Sequence, residues 1–214
     1  MITVSDGPRH TQIRSIMREF FTPRRVQTLR HALTAGVRTR LDPLLDEESF
    51  DFAGKIARYL PMEAMSHILG LPDADHEELL LLVSSTLGGQ DPDCRMGRVA
   101  SNSYAAHIRL LAYIVKLAAK RRTQPTDDLV SALVGATAHR HLSDREVAAN
   151  CMDVIIAANE TTKLALSGAT AWLAEQPSHQ TDPEGHVSDL RTLGEEILRW
   201  YAPPWTWPPT TDCP

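Results

Sequence analysis

Apolar residues along most of the chain recur every three or four positions, which is the spacing of one face of an α-helix. This pattern predicts a mainly helical protein, and Pro or Gly stands at most of the breaks between helices. One helix is expected to end at Phe21 and a second to run from Pro23 to the break at Asp42 and Pro43. Further helices are expected over residues 50–71, 75–86, 98–122, 129–138 and 189–200, with a loop over 88–93.

The longest helical pattern covers about residues 143–176. Its start is marked by Ser143 and Glu146, which have the spacing of a capping box, and Pro177 supplies a stop. The 28 residues 147–174 would span about 42 Å at 1.5 Å per residue. We therefore expect one long central helix around which the other helices are arranged.

The surroundings of this helix are predicted from the distribution of its side chains. Apolar residues occur on nearly every side, which indicates burial among other helices. Asp153, Glu160 and Lys163 argue against a membrane-spanning segment, because charged side chains are costly in the bilayer.

A polar run lies at the middle of the central helix. Residues 159–163 are NETTK, and they directly follow Ala157 and Ala158. At about 100° per residue, these two alanines share one face with Thr161. The result is a flat patch of small residues with a hydroxyl and the Glu160 carboxylate at its edge. Taken alone, the same run could also be a satisfied polar cluster between packed helices.

The first predicted helix carries a second candidate site. Asp6 and Pro8 mark its start, and His10 and Arg14 stand four positions apart on one face. Two cationic donors in this arrangement could bind a pair of carboxylates. The alternative interpretation is an ordinary solvated basic face.

The composition is that of a globular protein, with 43% hydrophobic and 23% charged residues among 214. Three cysteines (Cys94, Cys151 and Cys213) suit neither a disulfide framework nor a metal site, which favours the cytoplasm. The residues after Met1 form neither an apolar signal region nor an anchor, so we expect neither secretion nor membrane attachment.

Charge is distributed unevenly along the chain. Residues 1–40 hold eight arginines against Asp6 and Glu19, a net charge of +6, whereas the remainder carries −11 from 14 basic and 25 acidic residues. A basic end could bind nucleic acid. No aromatic interleaving or nucleic-acid motif supports that interpretation, so we expect no nucleic-acid partner.

Four ordered motifs resemble those of the cytochromes P450, in particular the soluble bacterial members. They are DGPRHTQIR followed by FTPRR at residues 6–25, PTDDL at 125–129, AANETT at 157–162 and EEILR at 195–199. The resemblance covers roughly residues 5–204. It implies a mainly α, P450-like helical fold and a haem-dependent monooxygenase that inserts an oxygen atom into a small organic substrate.

The resemblance also implies roles for individual residues around a haem cofactor. In the family, the residues that match His10 and Arg14 bind the haem propionates. Those that match Glu196 and Arg199 form an ion pair that supports the haem-side core. Electrons would come from a ferredoxin-type partner.

The central motif would serve oxygen chemistry. The resemblance places Ala157 and Ala158 where small residues leave room for dioxygen, although the family usually has glycine at the second position. Thr161 would donate a hydrogen bond to dioxygen, and Glu160 would relay protons through water, an acid–base role.

The sequence departs from the family pattern at both ends. Residues 1–204 are expected to form a partial P450 domain without the usual N-terminal part, and 205–214 a tail without counterpart. The glycine-rich loop that carries the iron-binding cysteine is not found, and neither Cys151 nor Cys213 has its surroundings, so no metal ligand is nominated. We therefore expect this chain to be inactive by itself. The alternative is a non-catalytic helical fragment or interaction module.

Overall fold

The computed structural model describes residues 2–87, 103–135, 142–175 and 190–201. These residues form α-helices joined by short turns, and they contain no strand. The predicted mainly α fold is confirmed. In the described ranges, the α-helices are α1 (Gly7–Phe20), α2 (Pro23–Leu41), α3 (Tyr59–Leu69), α4 (His76–Leu87), α5 (Ser103–Thr123), α6 (Leu129–Val134), α7 (Asp144–Ala174) and α8 (Leu190–Trp200).

The central helix is α7, and its start is set by the predicted capping box. The Ser143 hydroxyl accepts from the Glu146 amide, while the Glu146 carboxylate accepts from the Ser143 amide at 2.9 Å. These bonds satisfy amides that have no partner within the helix. The helix packs against α3, α4, α5 and α6 and against α8 near its other end. Its buried positions therefore lie on several sides, as its apolar distribution predicted.

The core is formed where α7 meets the surrounding helices. Apolar side chains from α1, α3, α4, α5 and α6 join those of α7 in one continuous cluster. Its fully buried members include Ile13, Met62, Leu110, Val147 and Ile155. Burying a side chain of this size stabilises the fold by about 1.5–3 kcal/mol, so this cluster dominates the packing energy.

Two predicted helices differ in detail from the structure. The predicted helix 50–71 is divided into a π-helical turn, Ala53–Ala57, and α3. Gly70 then ends α3 in the left-handed conformation at φ 66°, which glycine adopts without a Cβ clash. Helix α6 begins where predicted but ends at Val134, before the predicted end at residue 138, and residues 136–138 lie outside the described part.

A buried ion pair that includes a residue of PTDDL connects the ends of α3 and α5 with the start of α6. Arg121 of α5 donates from Nε to Asp128 Oδ2 at 2.5 Å and from Nη2 to the Gly70 carbonyl at 2.8 Å. Asp128 also caps α6, where its Oδ1 accepts from the Ser131 amide at 2.7 Å. The two charged side chains are only 9% and 3% exposed. We call Gly70, Arg121 and Asp128 the buried hub.

Some predictions concern residues that the structure does not describe. The predicted loop 88–93, the start of the predicted helix 98–122 and the tail 205–214 lie outside the described ranges, as do Cys94 and Cys213. Within those ranges, none of the helices is long and apolar enough to cross a membrane.

Candidate functional site

The middle of α7 presents the small-residue patch at the surface of the helix bundle. Ala157 is exposed and Ala158 is half-buried, although they lie at the centre of a long helix. Thr161 is half-buried, and its Oγ1 donates to the Ala157 carbonyl at 2.6 Å. The helix continues without a break through these residues. The patch therefore consists of small side chains with one hydroxyl held against the backbone.

Two polar side chains flank the patch. The Glu160 carboxylate accepts from Lys163 Nζ at 3.1 Å, and both side chains are partly buried. Asn159 is 3% exposed, and its Nδ2 donates to the Ile155 carbonyl at 2.8 Å. Its Oδ1 accepts no hydrogen bond from any described residue. The Glu160 carboxylate is thus held beside the patch, while the buried Asn159 oxygen keeps a free acceptor position.

His10 and Arg14 lie on α1, at the places that the first motif predicts. His10 is half-buried and Arg14 is exposed, because the core-facing positions of α1 are Ile13, Ile16 and Phe20. Among the described residues, neither His10 nor Arg14 has a side-chain hydrogen bond or ion pair. No bond joins them to the α7 patch. Both side chains are accessible to an anionic ligand.

Three contacts that the sequence did not predict attach the N-terminal residues to α7. Arg9 donates from Nε to Glu146 Oε1 at 2.9 Å, and the Ile2 amide donates to Asn150 Oδ1 at 2.7 Å. In the third contact, the Thr3 hydroxyl donates to Asp153. Arg9 and Glu146 are 137 positions apart in sequence, so no local pattern could have indicated the pair.

The predicted pair Glu196–Arg199 lies on α8. The Arg199 Nη2 and Glu196 Oε2 atoms are 2.8 Å apart, and the side chains are 60% and 53% exposed, Arg199 first. A hydrogen bond from Arg199 holds the pKa of Glu196 below its ordinary value. Helix α8 meets α7 where Gly168 lies against the Tyr201 ring, in a contact too close for a Cβ. More than half of each side chain of the pair is exposed.

Cys151 cannot serve as an iron ligand in this arrangement. It is fully buried in the core, and burial raises the pKa of its thiol to about 12. A thiol in that state is protonated and shielded from ligands. No described cluster of three or more His, Cys, Asp or Glu residues could hold a metal ion either.

Fold and site together define a mainly helical protein with a patch of small residues at the middle of its long central helix. The sequence is 34% identical over 196 residues to cytochrome P450 123 of Mycobacterium tuberculosis, covering 91% of this chain and 48% of that relative. It is 32% identical over 209 residues to the methyl-branched lipid omega-hydroxylase of the same organism, covering 94% and 47%. The chain is thus homologous to the cytochromes P450 and spans about half the length of the curated relatives it matches.

Solved structures agree with this assignment. A cytochrome P450 of Mycobacterium marinum in complex with pseudoionone matches with a TM-score of 0.81 and 30% identity, covering 93% of this chain and 49% of that one. The Bacillus subtilis bacillaene polyketide synthase P450, PksS, matches with a TM-score of 0.80 and 28% identity, covering 93% and 50%. No family model matches the sequence. The predicted resemblance to cytochromes P450 is confirmed, and the cofactor of those relatives is haem.

The described residues fit part of a haem. His10 and Arg14 are accessible, have no partner among the described residues and suit two carboxylates. The exposed Ala157 leaves the middle of α7 without a bulky side chain, so a flat ring can approach. A thiolate ligand for iron is absent from the described ranges, where Cys151 is the one free cysteine.

Proposed function

We propose that these residues belong to a haem-dependent monooxygenase. The observation that carries the proposal is the exposed small-residue patch on α7, with the Thr161 hydroxyl beside it, in a chain homologous to cytochromes P450. When bound, haem supplies the redox chemistry that inserts one atom of dioxygen into a substrate and reduces the other to water. Its iron requires a thiolate from outside the described residues.

Thr161 and Glu160 are proposed to control protons at the patch. The Thr161 hydroxyl rests on the Ala157 carbonyl and can turn outwards to donate to dioxygen. Glu160 Oε2 is held by Lys163 at the edge of the patch, where its carboxylate can exchange protons with water. A positioned acid–base group of this kind contributes about 10²–10⁴-fold to a rate. Both residues act through side-chain atoms that α7 places close to the patch.

His10 and Arg14 are proposed to bind the haem propionates. Exposed arginines on α1 and α2 further suit an acidic electron donor of the ferredoxin type, because opposite charges steer association. They are Arg14, Arg18, Arg24, Arg30 and Arg38. Named relatives act on a methyl-branched lipid or bind pseudoionone, which supports an apolar organic substrate.

The propionate role is tested with two porphyrins. Haemin has two free carboxylates, and in haemin dimethyl ester both are esterified. The purified chain should therefore bind haemin about tenfold more tightly than the ester. Arg14→Met should abolish most of this preference, whereas Arg18→Met removes the same charge from α1 and should preserve it. Equal binding of the two porphyrins by the unmodified chain would overturn the assignment of His10 and Arg14.

The proton role is tested in a longer protein that includes these residues and an iron-binding cysteine. Thr161→Ala should lower the fraction of consumed electrons that appears in hydroxylated product and raise peroxide release. The neighbouring Thr162 is exposed, so Thr162→Ala serves as the matched control. Unchanged peroxide release in the Thr161 variant would count against the proposed role.

A non-catalytic interaction module is the second candidate, and the surface of α8 supports it. Trp200 and Leu198 are 72% and 57% exposed, beside a mainly apolar cavity of about 480 Å³ between α7 and α8. Exposed apolar surfaces of this kind favour association. Concentration-dependent association without any haemin uptake would favour this candidate over the monooxygenase.

A further inference from the structure

One face at the start of α7 holds the N-terminal residues of the described chain. Glu146, Asn150 and Asp153 are spaced by four and three positions, so their side chains lie in one row. Residues from 2 to 9 contact all three. The contacts span two turns of α7 and involve both backbone and side-chain atoms of the N-terminal residues.

Asn150 is the buried centre of this row. Its side chain is fully buried, its Nδ2 donates to the Glu146 carbonyl at 2.7 Å, and its Oδ1 accepts from the Ile2 amide at 2.7 Å. Next to it, the Thr3 hydroxyl donates to Asp153 Oδ2 at 2.8 Å. Because a buried amide with unpaired atoms is costly, Asn150 favours the arrangement in which Ile2 stays bound.

Glu146 joins the start of α7 to α1. Its Oε2 accepts from Ser143 in the capping box, and its Oε1 accepts from Arg9. Both carboxylate oxygens are therefore occupied, one by each helix. The hydrogen bond from Arg9 is the main reason that the pKa of Glu146 is lowered to about 2. The carboxylate is accordingly ionised over the whole neutral range.

The contact reaches α1 on a side different from that of His10 and Arg14. Arg9 lies on the face that includes the buried Ile13 and Ile16. At about 100° per residue, His10 is about 100° and Arg14 about 140° away from Arg9 around the helix. Glu146 of α7 thus bonds to α1 through Arg9 and leaves the face with His10 and Arg14 open.

We propose that Glu146, Asn150 and Asp153 form a positioning clasp that fixes α1 on α7 and thereby sets the affinity of His10 and Arg14 for haem carboxylates. Arg9 and Glu146 are positioning residues, since they act through α1 and not by contact with the haem. The inference rests on the proposed propionate role. Independently of haem, the clasp limits the motion of α1.

The test compares Arg9→Gln, Glu146→Gln and the double variant of the full chain. Glutamine at 146 keeps the capping box possible, because this position accepts Glu or Gln. A direct charge effect would change haemin affinity in opposite directions, since one variant loses a positive and the other a negative charge. The clasp predicts a loss of about fivefold in both, with no further loss in the double variant.

Two controls separate positioning from general destabilisation. Haemin dimethyl ester should bind all variants with unchanged affinity, because it cannot use His10 or Arg14. Ser143→Ala weakens the start of α7 without removing the Arg9 contact, and it should change haemin affinity by less than about twofold. Opposite shifts for the two single variants, or an equal loss for haemin and its ester, would overturn the proposal.

Hydrogen exchange decides the haem-independent claim. Amides of α1 should exchange about fivefold faster in Arg9→Gln than in the unmodified chain or in Ser143→Ala. If the unmodified chain shows no preference for haemin over its ester, the proposed propionate role fails. Faster exchange would then still support the clasp as the anchor of α1, whereas unchanged exchange would overturn it.

Discussion

The buried hub and the α8 pair use the same chemistry in opposite surroundings. Arg121 and Asp128 are 9% and 3% exposed, whereas Arg199 and Glu196 are 60% and 53% exposed. Both pairs occur beside sequence motifs of the same family. Their contributions to stability should nevertheless differ strongly, because water screens a charge pair at the surface and is absent around a buried one.

The Arg9–Glu146 pair is intermediate in exposure between these two pairs. The side chains of Arg9 and Glu146 are 37% and 32% exposed, and Glu146 also forms the capping box. The three pairs form a series in burial. The contribution of each charged pair to stability therefore depends on the neighbours that tertiary packing gives it. The following experiments test this series in the isolated chain.

The largest effect is expected for Asp128→Ala. This change leaves the Arg121 charge buried without its partner and removes the α6 cap, so the free energy of unfolding should fall by about 3–5 kcal/mol. Urea unfolding followed by circular dichroism measures it. Asp127→Ala is the matched control, because that side chain is 85% exposed in its pair with Arg25 and should cost below about 1 kcal/mol. Similar losses in both variants would contradict the role of burial.

Gly70→Ala should have the next largest effect. Gly70 has a φ of 66°, and a Cβ there would overlap the Asp128 carboxylate and the Arg121 guanidinium. The left-handed conformation alone costs about 1–2 kcal/mol for alanine, so we expect a loss of at least about 2 kcal/mol in the same unfolding measurement. Gly194→Ala is a control on α8 with open space around the added Cβ. A neutral Gly70→Ala variant would show that the hub can rearrange.

The Arg9–Glu146 pair should produce a smaller, pH-dependent effect. The pKa of Glu146 is about 2 in the folded chain against an ordinary 4.5, so its contribution is complete above about pH 4.5. It is lost as the pH falls from about 4.5 towards 2. We expect about 1 kcal/mol for this partly exposed pair, measured by unfolding at several pH values. In Arg9→Gln, the loss of unfolding free energy between about pH 4.5 and 2 should be smaller. An undiminished loss in that variant would show that the Arg9–Glu146 pair does not cause this pH dependence.

The smallest effect is expected for Glu196→Gln. The pair with Arg199 is surrounded by solvent, which screens the attraction, so the unfolding free energy should not change measurably. Thermal unfolding of the variant and the unmodified chain in parallel provides the check. A clear loss of stability would show that α8 buries this pair in solution, and the contrast with the hub would disappear.

Local patterns predicted much of this fold. The capping box of Ser143 and Glu146 needs residues three positions apart, and α7 begins where that spacing places it. Helix α2 begins at Pro23 and ends before the predicted break at Asp42, because these boundaries also depend on residues close in sequence. The family was also accessible from sequence, because its motifs consist of short ordered runs. Roles of individual residues in those motifs remain predictions.

The contacts of these motifs with the rest of the chain could not be predicted. Asp128 belongs to the PTDDL motif, but its pairing with Arg121 and the approach of Gly70 depend on how α3, α5 and α6 pack. Asn159 was expected in a polar run, and only packing shows that it is almost fully buried. Burial of a side chain depends on every neighbouring helix, so it cannot be predicted from the sequence of one segment.

The sequence by itself determined the helices, their caps and the order of the family motifs, since each depends on residues within a few positions of one another. Tertiary structure alone decided which charges are buried and which helices they join. Arg9 and Glu146 show the physical reason: 137 positions separate them, and a bond of 2.9 Å between them exists only after α1 and α7 have packed.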